Sequence, residues 1–252
     1  MKKLAIGAAI LCLGFALDRN ASAFVIDSFA TAVDEVVSVN GVPGSTANAE
    51  FTPSAGAILG GVRAIDVIKL AGSAGALRTC AASVYAGDNY LGYSDAVSQQ
   101  GQMWITWDGG DGDALHTVVD YEGLGVVDME QDGDTYFTIR VNALSGVTGP
   151  LSLTLWDYTT GVSEMESISI SGSGDYLFSF NDYTVVDINN IGAIQLTWAP
   201  SSVGTTASFE WFGTGDVPEP GTLALMGALL GLGALGRRLR TRLFAKEATV
   251  AA

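Results

Sequence analysis

Few side chains in this 252-residue sequence can do covalent chemistry. His116 is the only histidine, which excludes a histidine-cluster metal site and leaves one imidazole on which a serine triad would have to be built. No G-x-S-x-G elbow is present to supply the nucleophile. His116 lies beside acidic turns and reads as an exposed loop residue. Paired carboxylates cleave glycosides when the two stand about 5–10 Å apart and one is desolvated. Glu164 and Glu166 flank one turn and the strand after it, and Glu122 and Glu130 flank another turn. Nothing separates either pair from the surface acids of an acidic chain. A secreted hydrolase with an acidic site is therefore the rival reading rather than the leading one.

Oxygen-rich turns invite a calcium test. Asp128-Met-Glu130-Gln-Asp132-Gly133-Asp134 places oxygen ligands at positions 1, 3 and 5 and glycine at 6 of an EF-hand loop. Position 12 is Ile139, where a bidentate glutamate is required. Asp128, Glu130, Asp132 and Asp134 are thus turn residues first and a structural Ca²⁺ site second, and the sequence points to no other cofactor.

Non-covalent chemistry has better candidates. Sugars stack on exposed aromatic rings, and strand parity sorts the tryptophans. Met103, Ile105 and Trp107 share one face of a strand, which puts Trp104 opposite with Gln102 and Thr106. Trp156 sits opposite Leu151, Leu153 and Leu155. Trp104 and Trp156 are the candidate glycan platforms, with Tyr136 and Arg140 beside them. Trp198 runs with Ile194 and Leu196, and Trp211 with Phe209, so both of these read as buried. Glycan binding by a lectin-like module is the alternative to a purely structural body.

The elements that position these residues are strands. Gly is abundant at 32 residues and charge is sparse at 15%, a balance that suits strands and turns. Eleven short segments alternate or run apolar: 24–29, 36–42, 62–70, 78–85, 102–108, 135–141, 151–158, 166–171, 176–181, 193–198 and 207–212. Residues 44–57 are small and polar and read as a loop. The mixed pattern of 62–70 fits a strand covered on both faces. Turn signals at Gly109-Gly-Asp-Gly, Gln131-Asp-Gly-Asp and Ser171-Gly-Ser-Gly separate the segments. No sustained helical period intervenes, so the expectation for residues 24–214 is one all-β domain, an antiparallel β-sandwich or jelly roll. Local patterns at Gly60–Asp66, Trp104–Gly109 and Val186–Leu196 resemble the jelly-roll bodies of galactose-binding and carbohydrate-binding modules. They imply a fold and no activity.

Charge bounds the partners. Residues 24–217 hold four basic residues (Arg63, Lys69, Arg78, Arg140) against 24 acidic ones, a net of −20. Such a surface repels nucleic acid and anionic lipid.

Both ends carry processing signals. Lys2 and Lys3, the apolar run Leu4–Leu17 and the small-x-small site Ala21-Ser22-Ala23 form a secretory leader over residues 1–23, read by the Sec translocon and signal peptidase. Cys12 follows the large Leu11, which rules out a lipobox. Cleavage leaves Cys80 as the lone cysteine, so the fold relies on no internal disulfide. Its alternating setting reads as a small packed residue. Near the other end, Val217, Pro218, Glu219 and Pro220 precede an uncharged apolar run, 221–236, followed by Arg237, Arg238, Arg240 and Arg242. Sixteen residues make a helix of about 24 Å, slightly short of the ~30 Å hydrocarbon core. The arginines can snorkel to close part of that gap. A basic flank stays cytoplasmic, so this single C-terminal transmembrane helix leaves the body outside. The prolines keep the preceding peptide extended, where a protease or transpeptidase can grip it. Within the run, Gly231–Gly236 matches G-x-G-x-x-G with no strand before it, an accidental match. Gly227 and Gly231 form a small-xxx-small pair that serves helix packing or is ordinary composition.

The tail over 215–242 resembles the PEP-CTERM sorting signal of exported proteins in Gram-negative, exopolysaccharide-producing bacteria. Its three components match in order and spacing. The resemblance implies recognition by an exosortase, a membrane-embedded transpeptidase-like enzyme. It also implies an intermediate anchored in the inner membrane and a destination at the cell surface or in the exopolysaccharide matrix. Residues 243–252 depart from the pattern, since members of that family end soon after the arginines; here they form a cytoplasmic stub. The whole reads as an exported, exosortase-processed, non-enzymatic β-sandwich protein.

Overall fold

A computed structural model of the chain describes residues 24–215 apart from 54–57, 76–77, 131–132 and 146–147. The leader, the Val217–Pro220 motif, the apolar run 221–236, the arginine cluster and the stub 243–252 lie outside the described residues. A compact unit ends at Gly215. Among the described residues no helix is long and apolar enough to cross a membrane.

The described residues form thirteen strands: β1 (Val25–Asp27), β2 (Glu35–Val39), β3 (Thr46–Phe51), β4 (Arg63–Ala71), β5 (Cys80–Val84), β6 (Leu91–Asp95), β7 (Gln100–Trp107), β8 (Tyr136–Ser145), β9 (Gly149–Asp157), β10 (Ser163–Ile170), β11 (Gly174–Ser179), β12 (Ile191–Trp198) and β13 (Thr206–Gly215). The larger sheet has the order β11-β8-β13-β6-β5-β2, with β1 added against β13. The smaller runs β10-β9-β12-β7-β4-β3. Every strand pairing is antiparallel, and the two sheets form the expected sandwich.

Alternation sets the core. Met103, Ile105 and Trp107 of β7, Leu151, Leu153 and Leu155 of β9, and Phe137, Ile139 and Val141 of β8 meet between the sheets, all essentially without exposure. Cys80 packs among them, and burial pushes its thiol well above the usual range. The expectation of cover on both faces holds for β4, where Arg63 to Val67 are all buried.

The sequence misplaces one stretch and omits another. Residues 46–51 form β3, not loop; as an edge strand beside β4 it buries little, so small and polar residues serve it. The short β6 turns Leu91, Tyr93 and Asp95 inward, and its Gly92 and Ser94 carry no strand signal.

Two cations anchor the inward row of β4, one at each end. Lys69 Nζ donates to the carbonyls of Ser73 and Arg78 at 2.6 and 2.8 Å. Arg63 stands 3.2 Å from both Asp27 and Glu35, all three fully enclosed.

Candidate functional site

The larger sheet is split along β13. On one edge β13 pairs with β8 throughout. On the other it pairs with β6 only from Thr206 to Phe209, and β1 takes over at Phe212. Between those partners the register against β8 slips twice: from Ser208–Ala143 to Phe209–Val141 it leaves Asn142 over on β8, and from Phe209–Val141 to Trp211–Arg140 it leaves Glu210 over on β13, so each strand carries one bulged residue. A bulge inverts the facing of the later residues in its strand. Phe209 and Phe212 are both buried, and Trp211 between them turns outward and is half-buried. The sequence expectation of a buried Trp211 is corrected here, because period-2 reading carries straight through a bulge that it cannot see.

An open cavity of about 560 Å³ occupies the split, lined by Ser28, Ala30, Asn89, Arg140, Glu210 and Trp211. Its walls are the turn after β1 and the turn before β6. Both turns hold a non-glycine residue in the left-handed region, Phe29 at φ 50° and Asn89 at φ 52°. Asparagine tolerates that conformation, whereas a bulky aromatic does so only when its surroundings enforce it. The enforcement is visible. The Phe29 N–H donates to Asp27 Oδ1 at 2.7 Å, its ring lies 5.7 Å from the Arg63 guanidinium, and Arg63 Nη2 donates to the Ala30 carbonyl at 3.2 Å. The buried ion triad thus holds the cavity wall from beneath.

The floor is the cross-strand row Trp211–Arg140–Asp175. Arg140 donates through Nε at 2.7 Å and Nη2 at 3.2 Å to the two oxygens of Asp175. This fork raises the arginine's proton affinity and holds the Asp175 carboxyl below its usual range. The indole lies over Gly213, two residues on. A Cβ there would stand 2.8 Å from Trp211 Cζ2 and 2.5 Å from the Phe24 carbonyl oxygen. Only glycine lets the ring lie down on the sheet. The result is an aromatic face backed by main chain, flanked by a carboxylate (Glu210), an amide (Asn89) and a guanidinium. A half-open site with one apolar plate and a few convergent polar groups suits a small polar ligand with an apolar face.

The candidate platform residues divide between opposite faces of the sandwich. Arg140 and Tyr136 share the outer face of the larger sheet with Trp211. Tyr136 is four residues from Arg140 along β8, about 13 Å at ~3.3 Å per residue, and pairs with Gly215. Trp104 and Trp156 lie on the outer face of the smaller sheet, both half-buried. Trp104 is already stacked: the His116 ring lies on it at 3.8 Å between centroids and 15° between planes. His116 is consequently not an exposed loop residue. Its Nδ1 sits 2.6 Å from Asp66 Oδ2, its N–H donates to the same oxygen at 3.2 Å, and its carbonyl accepts from Gln195 Nε2 at 3.0 Å. Sequence reading missed this because Asp66 and Gln195 come from β4 and β12, far away in the chain. The β7–β8 connection that carries His116 is tied to β12 through Gly192, whose carbonyl accepts from the Leu124 N–H at 3.0 Å. Trp156 keeps its place on the outer face of β9, between Ala193 and Ser163.

The calcium candidates serve separate partners. Asp128 caps its own turn by accepting from the Glu130 N–H at 2.9 Å, Glu130 accepts from Asn189 at 3.2 Å, and Asp134 accepts from the Thr214 hydroxyl. Asp132 lies outside the described residues.

No family model matches this chain, and no curated protein matches it in sequence. Some solved structures are similar. A family 11 carbohydrate-binding module of the cellulosomal cellulase Lic26A-Cel5E of Clostridium thermocellum is 12% identical, with 79% of this chain and 98% of that one covered, at a TM-score of 0.35. A variant of the family 29 module CBM29-2, complexed with cellulohexaose, is 9% identical over 78% and 92% of the two chains at 0.34. PfGH50B is 8% identical over 52% of this chain and 21% of its own length at 0.35, so the match spans about a fifth of that protein. At these TM-scores no residue of one chain maps onto another, and the site rests on this chain's own geometry.

Proposed function

We propose that the body is a non-catalytic glycan-binding β-sandwich, and that its signals deliver it to the cell surface or to an exopolysaccharide matrix. One observation carries the binding reading: the bulge at Glu210 turns Trp211 out of the core and lays it over Gly213, at the mouth of a cavity furnished with Asn89, Arg140 and Glu210. A bulge that turns a large aromatic outward forfeits part of a core burial worth about 1.5–3 kcal/mol when complete. The indole is the plate on which a sugar's C–H face stacks, and the polar groups beside it take the hydroxyls. Tyr136 extends the same face for further residues of a chain. The carboxylates here do not divide into the acid and base of a glycosidase, because Asp175 is committed to Arg140, which favours binding over hydrolysis.

Titration of the full-length chain with a panel of oligosaccharides tests the reading through intrinsic tryptophan fluorescence. Saturable binding is expected, weakened about 5- to 150-fold in Trp211→Ala if sugar stacking matches the roughly 1–3 kcal/mol of a nucleobase stacked on an aromatic. Trp104→Phe is expected to leave it unchanged. Binding that survives Trp211→Ala and vanishes with Trp156→Ala would move the site to the other face.

The tail belongs to the same proposal. Cleavage after Ala23, transfer arrest by 221–236 and recognition of Pro218-Glu219-Pro220 by an exosortase-like transpeptidase would release a body ending near that motif. Mass spectrometry of the mature protein from its native host is expected to find Phe24 at the N-terminus and no peptide from 221–252. A mature form that retains 243–252 would overturn the processing step.

A further inference from the structure

We infer that the Trp211 cavity selects uncharged sugars and excludes uronate-type and other anionic ones; this rests on the glycan reading above. Between residues 24 and 217 there are four cations, and only two of them reach the surface. Arg63 and Lys69 have no exposure and are bonded internally. Arg78 is exposed on the approach to β5, away from the residues that line the cavity. Arg140 alone stands at the site. Among the residues that line the cavity its fork is the one device that recognises a carboxylate through two parallel hydrogen bonds, and Asp175 already fills it at 2.7 and 3.2 Å.

A sugar carboxylate entering the cavity would therefore meet a neutralised arginine and the carboxylate of Glu210. Counting Arg140, Asp175 and Glu210, the site carries one net negative charge, inside a body that carries 24 acidic residues. Hydroxyl groups meet no such opposition. Glu210 accepts from them, Asn89 donates and accepts, and the remaining N–H groups of Arg140 donate.

The test uses the full-length chain with neutral probes (cellohexaose, laminarihexaose, mannohexaose, xylohexaose) and an anionic probe, hexagalacturonate, at low and high salt. At least one neutral probe is expected to bind with an affinity that salt leaves unchanged. Hexagalacturonate is expected to bind about tenfold more weakly at low salt, with the gap narrowing as screening shortens the range of repulsion. A gain-of-function variant, Asp175→Asn, frees the Arg140 fork and is expected to raise hexagalacturonate affinity about tenfold relative to that of the best neutral probe measured on the same variant. Hexagalacturonate binding as tightly as the best neutral probe would overturn the charge selection and leave the glycan reading standing. So would an Asp175→Asn protein that binds neutral sugar but gains nothing for the anion. Failure of every probe to bind would overturn both.

Discussion

Trp211 and Gly213 work as a single unit, since the ring occupies the space that any side chain at 213 would need. Gly213→Ala therefore tests the platform without touching the indole itself. The added methyl must lift the ring or push the Phe24 strand end away, and overpacking of this kind costs roughly 1–3 kcal/mol. The expected outcome is a lowered Tm, a shifted tryptophan emission maximum, and a loss of sugar affinity approaching that of Trp211→Ala. Unchanged emission and affinity would mean that the ring is not held by the sheet. The strained residues beside it have a matching role. Phe29 at positive φ costs about 1–3 kcal/mol, and it and Asn89, also at positive φ, occur on the two turns that face each other across the split. None of this was legible in the sequence. Phe209-Glu-Trp-Phe212 reads as an ordinary alternating strand, and only the two slips against β8, at Asn142 on one strand and Glu210 on the other, reveal the irregularity.

Among the elements, β4 joins the core to the site. Its inward row begins with Arg63, which pairs with β1 through Asp27 and β2 through Glu35 and also bonds the Ala30 carbonyl in the cavity wall. These contacts are not ideal: the Nε and Nη1 groups and both Glu35 oxygens lack well-angled hydrogen bonds, so the triad positions more than it stabilises. Removing one member is another matter, because it strands buried charge. Arg63→Met is expected to cost about 3–5 kcal/mol in urea denaturation and, where the variant is still folded, to weaken sugar binding through the loosened 28–30 wall. A loss below about 1 kcal/mol would show that the carboxylates rehydrate and that the triad is not closed. Sequence reading reached β4 as a doubly covered strand, and it reached the outward placement of Trp104 and Trp156 by parity alone. Parity is a local property and survives wherever a strand is regular. It failed where burial is set by an edge, as in β3, or by a bulge, as in β13. It also failed where a distant loop lands on a ring, as His116 does on Trp104.

At the scale of the whole molecule, the excess of acid sets the response to pH. Asp27 is pushed up to about 6 by burial, against the pull of Arg63, and Asp108 to about 7 by burial, with Asp111, Asp120 and Glu50 adding like charge. Burial also raises Asp95 and Glu35. In the unfolded chain Asp27 and Asp108 titrate near 3.8, so between pH ~4 and ~7 the folded state binds more protons than the unfolded one. Their contribution is full below the unfolded value and is lost as pH rises through the folded one. Acids pulled low, such as Asp157 and Glu164, act oppositely but only further into the acid range. General repulsion among the 24 acids of the body works in the same direction as Asp27 and Asp108. Tm is therefore expected to be higher at pH 5.5 than at pH 8, with a difference that salt reduces only in part, because screening reaches the surface charges and not the buried ones. Asp108→Asn keeps the bond from the Asp120 N–H and removes the titration. It should raise stability at pH 8, by an amount on the order of 4 kcal/mol at most, and flatten the slope between pH 5.5 and 8. A protein that gains stability on going from pH 5.5 to 8 would contradict the assignment outright, and an Asp108→Asn variant whose slope matches that of the parent would place the pH response on the other acids.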